Sequence, residues 1–146
     1  MSLDRAWIAA HIPHQGNMCL LDRVLDWDSD RITCSSNTHR APDHPLRAHN
    51  RLGAACALEY AAQAMAVHGA LSQPRASGAP GVGLLTSARA LHLYVARLDD
   101  VEGELCIRAE RAHADARGAL YAFTVHADRG LLAQGRASLL LDGARA

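Results

Sequence analysis

The apolar positions change their period along the chain. Residues 52–71, LGAACALEYAAQAMAVHGAL, are apolar on nearly every face, and most are small. A helix of that kind is covered on most of its sides. Asn50 is a candidate cap, and Gly69 followed by Ser72-Gln73-Pro74 closes the helix. Downstream the period drops to two. ELCIRAERAHAD (104–115) sets Leu105, Ile107 and Ala109 on one face and Arg108, Glu110 and Ala112 on the other. VGLLTSARALHLYVARL (82–98), ALYAFTVHA (119–127) and LLAQGRASLLLD (131–142) are further strand-like runs. Asp99 to Gly103, Ala116-Arg117-Gly118 and Asp128-Arg129-Gly130 read as hairpin-like connections. Upstream, NMCLLDRVLDWDSDRITCSSNT (17–38) reads as two strands joined at Asp28-Ser29-Asp30. Ser2 can cap a short helix from Leu3 to about Ala10, which Pro13 ends. HRAPDHPLRAHN (39–50) is an irregular surface loop, and QPRASGAPG (73–81) is a flexible one.

The order is therefore a strand pair, one apolar helix, then an antiparallel run of strands. A helix apolar all round cannot lie on a flat sheet with one side wet. Either the sheet curves around it or a second subunit covers it. The expected class is α+β, a curved antiparallel sheet wrapped around one long central helix, which is the hotdog architecture. Residues 1–146 form a single domain of this kind, and that length is enough to bury a core.

Charge narrows the partners. Fifteen basic and fifteen acidic side chains give no net charge, and no Lys/Arg block supplies a field for nucleic acid. Cys19, Cys34, Cys56 and Cys106 stand far apart, with no zinc-type spacing. Unpaired cysteines in a domain of this size fit a reduced, cytoplasmic setting. The N-terminal segment MSLDRAWIAAH lacks the basic start and apolar core of a signal peptide. The 52–71 stretch carries Glu59, Gln63 and His68, so it reads as a buried helix, not a membrane span of about 20 strongly apolar residues.

Glu59 raises the chemical question, because burying an unpaired charge is expensive. An alanine-lined site raises a carboxyl's proton affinity by desolvation and makes an acid of it. Gln63 stands four residues on, on the same face, and can orient the carboxyl. Gly53, Ala54 and Ala55 are small enough to let a substrate approach the backbone N–H groups of the helix start, where developing negative charge is favoured.

IPHQGNMCLLDRV (12–24) resembles the N-terminal element of the bacterial 3-hydroxyacyl carrier-protein dehydratases: Pro-His, a short turn, then an apolar strand ending in Asp-Arg-Val. DHPLRAHNRLGAACALEYAAQAMA (43–66) resembles their active-site segment, with a His-containing loop ahead of a helix reading Glu, two residues, Ala-Gln. The subgroup it most resembles is the dehydratase-like proteins of aryl-polyene and xanthomonadin-type pigment clusters. The resemblance implies His44 as the base at C2 and Glu59 as the acid at the C3 hydroxyl. It implies a dimer in which the two come from different subunits, homomeric or with a second hotdog chain. It also implies an acyl-carrier protein as partner, and no cofactor beyond that carrier's phosphopantetheine arm. Arg47, Arg51, Arg75 and Arg89 are candidates to receive the carrier. His39 and His49 are the alternative bases, and His14, in the Pro-His element, is expected to be structural.

Two features depart from the family pattern. Leu52-Gly53-Ala54 stands where a Pro-Gly precedes the helix, and only His-Pro remains of the usual Gly-His-Phe-Pro-Gly loop. Two rival functions stay open: a hotdog thioesterase using Glu59 to activate water, and a non-catalytic subunit that completes a partner's site.

Overall fold

The computed structural model describes residues 3–72, 84–115 and 117–140. Ser2, the whole 73–81 loop with Arg75, Ala116 of the second predicted connection, and the outer ends of the first and last predicted strands of the C-terminal run lie outside them. The first element is α1 (Arg5–His11), and Asp4 caps it by accepting from the Trp7 N–H. Strands β1 (Arg23–Trp27) and β2 (Arg31–Ser36) follow, then α2 (Ala57–Ser72), β3 (Leu84–Leu93), β4 (Leu105–Ala114), β5 (Gly118–Ala127) and β6 (Gly130–Leu140). One antiparallel six-stranded sheet results, in the order β1-β2-β4-β5-β6-β3.

The sheet wraps α2, which packs against β2, β4, β5 and β6. Every residue from Tyr60 to His68 is buried, as an all-round apolar helix requires. Ile107, Ala109, Tyr121, Phe123, Val125 and Ala137 line the sheet's inner face. The alternation expected for 104–115 is present: Leu105, Ile107 and Ala109 are buried, Arg108 and Glu110 exposed.

Three boundaries differ from the sequence expectation. The helix begins later, at Ala57, after a 3-10 turn over Ala54–Cys56. Asn50 does not cap it; Asn50 sits in a tight turn at φ 64°. Asp99 to Gly103 is not a hairpin, because β3 pairs with β6 while β4 pairs with β2 and β5. The two later connections are hairpins. Asp115 Oδ1 accepts the Arg117 and Gly118 N–H groups in one, and Gly130, at φ 123°, opens β6 in the other.

The two sheet edges are unlike. β1 is partly covered, since the Val24 N–H donates to the Leu3 carbonyl. β3 has no strand on its outer side among the described residues, and it exposes Leu85, Leu91 and Leu93 with the adjoining Tyr94. It also bulges between Arg89 and His92, with Ala90 at φ 51°.

Three of the buried polar side chains are histidines, His39, His44 and His68, and each has a hydrogen-bond partner. His68 accepts from the Tyr121 hydroxyl at Nδ1 (2.6 Å) and donates from Nε2 to the Asp28 carbonyl (2.7 Å). His39 donates to the Val101 carbonyl at 2.9 Å. Burial holds the proton affinity of His39, His44 and His68 below the usual histidine value. The folded chain thus keeps them neutral while the unfolded chain protonates them below about pH 6.5. Their contribution is fully present above that pH and is lost as pH falls through it. Thermal unfolding followed from pH 8 to 5 should show a midpoint that declines below about pH 6.5; a flat midpoint would contradict this account.

Candidate active site

Glu59 lies in the first turn of α2, with its side chain 30% exposed. Half-covered is therefore the better description than buried. Two donors hold the carboxyl. His14 Nε2 reaches Oε1 at 3.0 Å from the loop after α1, and Gln63 Nε2 reaches the same oxygen at 3.3 Å. The expected Glu59–Gln63 contact is present.

Gln63 is itself fully buried and does more than orient Glu59. Its Nε2 donates to the Met18 carbonyl at 2.7 Å, and its Oε1 accepts the Leu20 N–H at 2.8 Å. The amide thus ties α2 to the segment that leads into β1. Met18 and Leu20 belong to the stretch after Pro-His, which explains why that stretch must be spaced as it is.

The charge state of Glu59 runs opposite to the sequence expectation. Burial is the largest influence and does push the carboxyl's proton affinity up. The hydrogen bonds from His14 and Gln63, with the His14 charge, outweigh it and leave the carboxyl below its ordinary value. Glu59 in the resting chain is a carboxylate.

His44 occupies a different place. It is 5% exposed. Its Nδ1 accepts the Leu46 N–H at 3.1 Å, so the ring proton sits on Nε2, which meets the Tyr60 hydroxyl at 3.1 Å. Burial first, then the nearby Arg47 charge, hold its proton affinity down. No hydrogen bond joins His44 to Glu59 among the described residues. The one lone pair of the ring is engaged, so this arrangement offers no free base there. Of the alternative bases, His39 is fully buried, and His49 is exposed in a turn at φ 53°.

Hydrogen bonds on either side of the Leu20 backbone nevertheless link the two residues. The Tyr60 hydroxyl bonds Thr38 Oγ1 at 2.7 Å, and Thr38 donates to the Leu20 carbonyl at 2.8 Å. The N–H of Leu20 then reaches Gln63, which reaches Glu59. Burial pushes the Tyr60 phenol up to about 12, so it stays protonated. Sequence reasoning missed His14, Tyr60 and Thr38 as parts of this constellation. The Pro-His element and the Tyr directly after Glu59 were the signals available.

At the helix start, the Ala54 N–H is bonded to the Ala96 carbonyl and that of Cys56 to the Gly53 carbonyl. Ala54 therefore contributes no free donor, and Gly53 and Ala55 are the ones that remain of that group. Asp99 fixes this entry. It accepts the Leu52 N–H at 2.9 Å and pairs with Arg97, and Arg47 Nη1 stands 3.8 Å away. Arg47 is thus partly engaged, while Arg51 and Arg89 are exposed. A groove of about 670 Å³ opens on the sheet face away from α2, lined by Arg31, Arg108 and Arg136 among others; neither Glu59 nor His44 lines it. No cluster of three His, Cys, Asp or Glu side chains forms a metal-ligand set among the described residues. No described helix is long and apolar enough to cross a membrane.

The sequence profile of the ApeP-like dehydratases matches residues 6–141. The chain belongs to that family. A comparison with curated protein sequences found no match. Among solved structures, the chain is similar to the dehydratase heterocomplex ApeI:P from Xenorhabdus doucetiae, with TM-score 0.80 and 20% identity over 91% of this chain and 89% of that one. It is similar at TM-score 0.59 and 13% identity to a mutant thioesterase from Pseudomonas aeruginosa, over 82% of this chain and 80% of that one. A thioesterase from Haemophilus influenzae matches at TM-score 0.60 and 10% identity, over 85% and 80%. These neighbours carry the hotdog fold expected from the pattern of elements.

The role of Gln63 is testable apart from chemistry. Gln63→Leu orphans the Leu20 N–H and the Met18 carbonyl, each worth roughly 1–3 kcal/mol when buried. Urea unfolding should show a loss of about 2 kcal/mol or more, whereas Glu59→Gln stays within about 1 kcal/mol of the parent.

Proposed function

We propose that the chain dehydrates a 3-hydroxyacyl thioester carried on the phosphopantetheine arm of an acyl-carrier protein, giving the trans-2-enoyl thioester. The resemblance to pigment-cluster dehydratases favours a growing polyene as the acyl group. Glu59 carries this reading: a carboxylate held by two donors, half-open, beside a helix start made of Gly53, Ala54 and Ala55.

The reaction breaks C2–H and C3–O, forms C2=C3 and releases water. It neither consumes nor produces a net proton, so one carboxyl can serve both steps. Glu59 takes the C2 proton as a carboxylate and returns it to the departing hydroxyl. An acyl chain laid over the half-open carboxyl strengthens its desolvation, which raises its proton affinity and favours that uptake. The N–H groups of Gly53 and Ala55 would polarise the thioester carbonyl. A base role for His44 requires its ring to break from Leu46 or Tyr60. The exposed arginines Arg51 and Arg89 suit an acidic carrier.

A second hotdog subunit is part of the proposal. The ten-residue edge of β3 is long, apolar and open among the described residues, and such edges recruit another strand. The similar heterocomplex from Xenorhabdus doucetiae supports a second hotdog chain as the occupant.

Mass spectrometry of an intact 3-hydroxyacyl carrier protein tests the activity, with the chain alone and with a partner subunit. The expected result is loss of one water, abolished by Glu59→Gln. His44→Asn should lower turnover together with thermal stability; complete loss with an unchanged midpoint would restore His44 as the base. Loss of the whole acyl group would mean a thioesterase, and an unchanged carrier in every mixture would mean a non-catalytic subunit. Light scattering tests the edge: Leu91→Lys with Leu93→Lys should reduce the assembly to single chains, and an unchanged mass would place the interface elsewhere.

A further inference from the structure

We propose that His14 is a positioning residue of the reaction, clamping the Glu59 carboxyl through Nε2–H and so setting the pH at which that carboxyl can accept the C2 proton. The inference rests on Glu59 as the proton-transfer group. It goes beyond the resemblance, which makes His14 structural and gives the histidine role to His44.

The geometry is specific. His14 follows Pro13 in the loop after α1, and its Nε2 lies 3.0 Å from Oε1 of Glu59. Gln63 donates to the same oxygen from one turn further along α2. Glu59 Oε2 is left for the substrate. His14 Nδ1 is buried with no partner among the described residues. The one polar contact of the ring among the described residues is with Glu59. The titratable groups facing Glu59 are His14, from the loop after α1, and Cys56, one turn earlier on its own side of the helix start. His14 is the one that favours the ionised carboxylate. Removing it leaves the upward push of burial opposed by Gln63 alone, so the carboxyl's proton affinity rises.

The test is a ¹³C-carboxyl NMR titration of Glu59 in the full chain, as parent, His14→Leu and His14→Gln. The midpoint should move up by roughly one unit in His14→Leu, a tenfold change in proton affinity, and recover in part in His14→Gln, which keeps an N–H donor. The acid limb of kcat/KM on the 3-hydroxyacyl carrier should move upward with it. A Glu59 midpoint unmoved in folded His14→Leu overturns the proposal, as does an acid limb that stays in place while the midpoint moves. If Glu59→Gln retains full turnover, the dehydratase reading of Glu59 fails instead, and the NMR midpoints still report whether His14 controls the carboxyl.

Discussion

One buried amide holds the structure and its site together. Gln63 is fully covered inside α2, and a primary amide cannot be buried without partners except at a cost of a few kcal/mol. It finds three: the Met18 carbonyl, the Leu20 N–H and the Glu59 carboxylate. The first two stitch the chain entering β1 onto the central helix. The third makes the position of that seam also the position of the carboxyl. Helix, sheet entry and carboxylate therefore cannot move independently. Low dielectric makes each of these bonds stronger and makes the loss of any one more damaging.

Leu20 extends the seam to the other side. Its carbonyl accepts from Thr38 and Ser36, and Thr38 meets the Tyr60 hydroxyl, against which His44 rests. The Leu20 backbone thus stands between a region built around Glu59 and a region built around His44. The second region is closed: every polar atom of His44 is used, and Tyr60 is fully buried. The first is half-open. The two side chains thus differ in exposure: Glu59 is half-open and His44 is enclosed.

The same contrast runs through the electrostatics. An alanine-rich helix desolvates Glu59, and alone this would make it an acid. Two hydrogen-bond donors reverse the balance. Desolvation is the largest single influence on the carboxyl, and the bonds from His14 and Gln63 together overcome it.

Much was legible in the residues. All-round apolarity over 52–71 required a wrapped helix, and period-two runs required an antiparallel sheet to wrap it, because neither pattern can bury its apolar surface otherwise. Glu59 and Gln63, four apart on one helix, had to be neighbours whatever the rest of the fold did. Those conclusions depend on local periodicity, which sequence carries directly. The partners of Glu59 were different. His14 lies on a separate element, and only the docking of α1 and its loop against α2 decides that its Nε2 reaches Oε1. The pairing of β3 with β6 rather than β4, the late start of the helix at Ala57, and the engagement of His44 with Leu46 and Tyr60 are of the same kind. Each depends on the assembled fold, which sets hydrogen-bond direction and exposure, and no spacing along the chain records them.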